Sequence, residues 1–251
     1  MAATLSNDSY GEENSFKIDY VRAASMEEGD ESITLQDQEI LQQIKSQKSD
    51  FTFKLMCVGD YTGFGKKGGF ILDYINDRPL SFYHKPTIGV DFYLHFIKWS
   101  DVSNGKEYVV KLQFWDLAEH ERFLNMTSVY CRRCAGALVF WGPKSPSSLN
   151  SCLKWSQKIR EANPRDNGSI PMVLIIENIP NSKRGKSVEW IGQGKMVDSI
   201  ETMDRFCRKN GFLHWFELTS REGEGYTGVM QKAVNCLVQE IFESKHHLYK
   251  S

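Results

Sequence analysis

A chain of 251 residues with 41% hydrophobic side chains can bury one good core, and it reads as one domain with an appendage. No apolar run approaches the roughly 18 residues a membrane span needs, and residues 1–50 hold no signal-peptide apolar core, so a cytoplasmic location is expected. The formal charge of −1 conceals a split: residues 1–50 carry eleven acidic and four basic side chains, and the remainder carries 27 basic and 21 acidic.

Residues 1–50, rich in Ser, Asn, Gln, Asp and Glu, offer too little apolar surface to offset chain entropy and are read as a disordered acidic extension. Within them, Ile40, Leu41 and Ile44 share a helical face behind a Thr34 cap with Asp37 three residues later, the pattern of a transient docking helix. From residue 51 strand-like and helix-like segments alternate, which predicts an α/β fold with a mostly parallel sheet. Strands are expected at 51–59, 89–99, 107–115, 135–141, 171–177 and 212–218, with 89–99 and 107–115 forming an antiparallel hairpin around the turn-rich 100–106. Helices are expected at 70–75, 123–134, 147–162, 198–210 and 226–244. Residues 181–197, polar, basic and Gly-containing, are too long for an ordinary connection and read as a surface insertion. The domain is taken as 51–245, followed by a short tail, 246–251.

The six cysteines are expected to remain reduced thiols. Cys131 and Cys134 form a C-x-x-C, but no second ligand pair at zinc spacing accompanies it, so a zinc or redox site is not expected.

Three stretches carry chemistry. Residues 110–123, VKLQFWDLAEHERF, begin as a buried strand and break at Asp116 into a charged, loop-like tail. Residues 59–70, GDYTGFGKKGGF, follow the first strand and lead into a helix, the setting in which G-x-x-x-x-G-K-[ST] cradles phosphate with backbone N–H groups. No register satisfies that pattern: taking Lys66 as the phosphate lysine needs one inserted residue and puts Lys67 in the hydroxyl slot, while taking Lys67 needs two, fits the spacing to Tyr74 better and puts Gly68 there. The third stretch, Thr87-Ile88-Gly89-Val90-Asp91-Phe92, links a loop to a strand.

Together these resemble the Rab branch of the Ras-superfamily GTPases over residues 51–244. The family's T-I-G-V-D-F is matched at every position by 87–92, and its W-D-T-A-G-Q-E-R-F is matched except at Leu117, Glu119 and His120. Shorter matches, including Leu153-Lys154-Trp155 and Asn167-Gly168, resemble the subgroup serving melanosomes and other lysosome-related organelles. The resemblance implies a P-loop small-GTPase fold, a six-stranded mostly parallel sheet with one antiparallel hairpin and helices on both faces. It also implies GTP or GDP and Mg²⁺ as ligands, with Thr87 and Asp116 toward the metal and Gly59, Gly63, Gly65, Lys66, Lys67 and Gly68 around the phosphates.

Several of those positions are degenerate. Glu119 replaces the glycine whose N–H meets the γ-phosphate; turned inward, a like-charge pair about 4 Å apart would cost on the order of 4 kcal/mol, roughly three decades of affinity. His120 replaces the glutamine that orients the attacking water and is the one catalytic candidate. The base-reading N-K-x-D becomes Asn178, Ile179, Pro180 and Asn181, so the carboxylate that accepts two bonds from guanine is lost. E-T-S-A-K becomes Glu217, Leu218, Thr219, Ser220 and Arg221 without a gap. Nucleotide binding is therefore expected to be weak or absent. The family's effector surface is kept, with Ile88, Gly89, Val90 and Asp91 beside the aromatic triad Phe92, Trp115 and Tyr130, although three aromatics near strand ends also suit a core.

Rabs end in prenylated cysteines, whereas the last cysteine here is Cys236 inside the final predicted helix, so no direct lipid anchor is expected. The sequence reads as a Rab-like pseudo-GTPase that binds Rab effectors or regulators, not nucleic acid, and is recruited to endosomal or lysosome-related membranes by a partner. The alternative is a divergent working GTPase with His120 positioning water.

Overall fold

Phe51–Val58 alternates and then passes into an unbroken apolar run, so this strand must have neighbours on both edges and cover on both faces. In the computed structural model this strand, β1, lies inside the sheet, parallel to β3 (Lys106–Leu117) on one side and to β4 (Gly136–Trp141) on the other. The structure describes residues 47–59, 67–77, 87, 89–118, 129–141, 148–164, 170–177, 200–218 and 225–248. With β2 (Val90–Asp101), β5 (Met172–Glu177) and β6 (His214–Leu218), the six-stranded sheet runs β2-β3-β1-β4-β5-β6. The β2–β3 pairing is antiparallel and the others are parallel, as the sequence predicted for a small-GTPase sheet.

Among the described residues, four helices of ten residues or more cover the sheet: α1 (Lys67–Asn76), α2 (Ser148–Ala162), α3 (Ile200–Asn210) and α4 (Gly225–Leu248). Strand periodicity sorts the core into two layers. Phe53, Leu55 and Cys57 of β1, Leu138 and Phe140 of β4, and Val173 and Ile175 of β5 pack with α1 and α4. Met56 and Val58, Ala137 and Val139, and Leu174 and Ile176 pack on the opposite face with Cys152, Trp155 and Ile159 of α2 and Met203 and Cys207 of α3.

Several boundaries differ from the sequence reading. The β2–β3 hairpin closes more tightly than 100–106 because Asp101 organises the turn: its Oδ1 accepts from Ser103 N at 2.9 Å and Ser103 Oγ at 2.7 Å, and its Oδ2 accepts from Asn104 Nδ2 at 2.9 Å. β3 does not break at Asp116; it continues to Leu117 because both edges are paired there, Cys57 with Asp116 and Val90 with Leu117. α1 begins at Lys67, three residues earlier than expected, despite two glycines in its first turn. Cys134 lies beyond the helical turn 129–131, which Arg133 ends at φ 57°; Cys131 and Cys134 are both buried. α4 extends to Leu248, into the residues read as a tail. The docking helix at 34–45 and the insertion at 181–197 lie outside the described residues.

Candidate functional site

Parallel pairing of β1 with β3 brings Cys57 beside Asp116, and β1 ends one residue later, at Val58. Gly59 has φ +128°, and a Cβ there would run into the backbone oxygen of Phe140, so both conformation and space require glycine directly after β1. When the chain re-enters at α1, Lys67 is 1% exposed and its Nζ lies 3.6 Å from Oδ1 of the fully buried Asp116. A Cβ on Gly68 would stand 2.7 Å from Tyr93 Oη and 3.1 Å from Asp116 Oδ2. The geometry thus brings the position of Gly68, in the register that makes Lys67 the phosphate lysine, to the carboxylate of β3.

Thr87 completes the group. Its Oγ1 lies 3.0 Å from Asp116 Oδ2 and 3.1 Å from Asp91 Oδ2, a single hydroxyl between two carboxylates. Asp91, expected on the effector surface, is instead buried, since its alternate-residue position on β2 turns it to the layer of the threonine. The Cys57 thiol is pushed well above its ordinary value by burial first and by the Asp116 charge second, with Lys67 opposing, so it stays protonated. Gly89, at φ +80°, offers its carbonyl oxygen to Ala118 N at 2.9 Å and so fixes the entry to β2.

Asp116 and Thr87 are the pair the resemblance implies for Mg²⁺, which asks for an octahedron of oxygen donors. Gly68 supplies no oxygen, Tyr93 Oη takes the space a hydroxyl side chain would use, and the Lys67 ammonium already faces the carboxylate. Of the oxygen donors implied for Mg²⁺, Thr87 and Asp116 meet here and the hydroxyl of the helix start is missing. Among the described residues no group of three or more His, Cys, Asp or Glu side chains is placed to hold a metal.

The aromatic triad assembles beside this group. Phe92 and Trp115 face each other across the antiparallel pair, with ring centroids 5.2 Å apart at 76°, and Tyr130 stands 6.4 Å from Trp115. Lys54 lays its ammonium 4.2 Å above the Trp115 ring and donates to the Arg132 carbonyl at 3.2 Å. All three rings are partly buried: they brace one another and still keep an accessible edge. Sequence reasoning missed Lys54 and Tyr93, because neither has a motif and both act through residues far away in the chain.

Ile88, Gly63, Gly65, Lys66, Glu119, His120, Asn178, Asn181, Thr219, Ser220 and Arg221 lie outside the described residues. The strands that lead to the base-reading segments end side by side, with Glu177 of β5 paired to Leu218 of β6.

A mostly parallel sheet with one antiparallel hairpin, a positive-φ glycine directly after β1, and an aspartate of β3 that meets a threonine beside the next helix define a small-GTPase domain. The Ras family matches residues 54–239, and the chain belongs to that family. Its relatives place it in the Rab branch. It is 30% identical over 198 residues to Ras-related protein Rab-32A of Dictyostelium discoideum, covering 78% of this chain and 80% of the relative. It is 31% identical over 190 residues to human Ras-related protein Rab-32, covering 75% and 74%, and 28% identical over 195 residues to human Ras-related protein Rab-7L1, covering 77% and 86%. Ras-family GTPases bind GTP or GDP with Mg²⁺, and Rab proteins engage effectors and regulators in vesicle traffic.

Proposed function

We propose that this chain is a Rab pseudo-GTPase: a protein-binding module of vesicle or endolysosomal traffic whose partner surface is kept while its nucleotide site no longer acts as a switch. The observation that carries this reading is the Lys67 ammonium 3.6 Å from Asp116, beside a Gly68 with no hydroxyl to offer. The Asp116 carboxylate competes with the phosphates for the Lys67 ammonium, and the substitutions at Glu119, Ile179 and Asn181 act in the same direction. Partners are Rab effectors or regulators, and recruitment to endosomal or lysosome-related membranes would run through them.

Calorimetric titration of the full chain should show weak GTP and GDP binding, little effect of Mg²⁺ and little preference for guanine over adenine. A sub-micromolar, Mg²⁺-dependent GTP site would overturn the reading. One observation favours the alternative of a working GTPase: Thr87 and Asp116, the two groups implied for Mg²⁺, are only 3.0 Å apart. That alternative requires Lys67 to leave Asp116 when nucleotide arrives, with His120 orienting water. The same titration decides between the two.

A further inference from the structure

Two carboxylates and one hydroxyl meet where the chain enters β2. Asp91 and Asp116 are 8% and 0% exposed, and both face Thr87 Oγ1, which has one proton to give. Carboxylates gathered this closely and out of water oppose each other when charged, and a cation beside them relieves that repulsion. The Lys67 ammonium, itself 1% exposed, lies 3.6 Å from Asp116 Oδ1 and brings a positive charge there. Gly68 makes room for this, since a Cβ would meet Tyr93 Oη at 2.7 Å. The chain's own groups therefore take both the place of a cation and the place of a hydroxyl ligand.

We propose that the Lys67 ammonium is a built-in counter-cation at Asp116 and that, through this carboxylate, it holds Thr87 and residues 89–91 against the end of β3 without any nucleotide. The proposal rests on the functional reading above and extends it to how the partner face is kept in place. Two anchors are present: the Thr87 hydroxyl on Asp91 and Asp116, and the Gly89 carbonyl on Ala118 N. Phe92 follows directly and meets the Trp115 ring edge to face, so fixing Gly89 to Asp91 also fixes the first ring of the triad. Lys67 is here a positioning residue: it touches neither partner nor phosphate.

Amide hydrogen exchange of the full chain, read by mass spectrometry over residues 87–91, tests this. In the wild type the exchange should be the same with and without GTP and Mg²⁺. Lys67→Met should speed it at least about tenfold while the amides of β4 and β5 keep their protection, and Lys67→Arg, which retains the charge, should stay near wild type. Unchanged exchange in Lys67→Met would overturn the proposal. Should Lys67→Met fail to fold, Thr87→Val keeps the branched shape, loses only the hydroxyl and should show the same tenfold rise; wild-type exchange in that variant overturns the proposal as well. The two levels separate cleanly. Tight GTP binding that slows exchange in the wild type sinks the pseudo-GTPase reading and this inference together, whereas absent GTP binding with unaltered exchange in Lys67→Met sinks the inference alone.

Discussion

His95 sits on β2 opposite Leu112, its ring 5.0 Å from that of Tyr74 at 68°, and burial lowers its pKa to about 4 from the ordinary 6.5. The folded chain thus holds this imidazole neutral where the unfolded chain would protonate it. Stability from His95 is fully present above pH 6.5, falls as the pH drops below that value, and is lost by about pH 4. At about pH 5 the loss should amount to roughly 2 kcal/mol, and His95→Phe, which keeps an aromatic ring against Tyr74, should remove that part of the acid sensitivity. Urea denaturation at about pH 7.5 and about pH 5 measures the difference. If both proteins lose stability equally between the two pH values, the assignment to His95 is wrong.

The end of α3 shows how one element is finished by another. Its last carbonyls have no partner inside the helix, and Arg160, in the last turn of α2, donates from Nη2 to the oxygens of Asn210 at 2.8 Å and Gly211 at 3.1 Å. The sequence announces the stop through Arg208, Lys209 and Gly211 but gives no sign that Arg160 completes it. Arg160→Ala should lower stability by about 1–2 kcal/mol, the scale of hydrogen bonds to a charged group at a partly exposed site, and Arg160→Lys should recover part of this. A lowered urea midpoint with an unchanged slope is the expected result. A loss under about 0.5 kcal/mol would mean that water replaces the guanidinium without penalty.

The proposed partner face belongs to the whole molecule, because it forms only when the β2–β3 hairpin, residues 129–131 and Lys54 of β1 come together. Its centre is Trp115, which pairs with Phe92, lies near Tyr130 and is roofed by an ammonium. Trp115→Ala should weaken capture of a Rab effector by about 2 kcal/mol or more, the size of an aromatic hot spot. Phe92→Leu, which keeps most of the apolar volume but loses the ring, should weaken it less. Circular dichroism must first show each variant folded, and binding curves with and without GTP should coincide. Equal affinity of Trp115→Ala and wild type would remove this face from the interface.

The strand and helix order was legible without a structure because it rests on local periodicity: the alternation of Phe53, Leu55 and Cys57 with Met56 and Val58 already separates the two layers. The motif at 87–92 and the aspartate at 116 were legible for the same reason, as contiguous strings tied to a strand and its flanks. Boundaries were less so. β3 passes Asp116 because β1 and β2 pair with it there, a cooperative effect of strands distant in the chain. The use of Lys67 was beyond the sequence altogether. The spacing to Tyr74 suits Lys67 better than Lys66 for the phosphates, but only the convergence of α1, β2 and β3 sets Lys67 against Asp116, with Tyr93 filling the space beside Gly68. Sequence determined which charged groups the site contains; the tertiary fold decided which of them meet, because an ion pair depends on distance in space and not on separation along the chain.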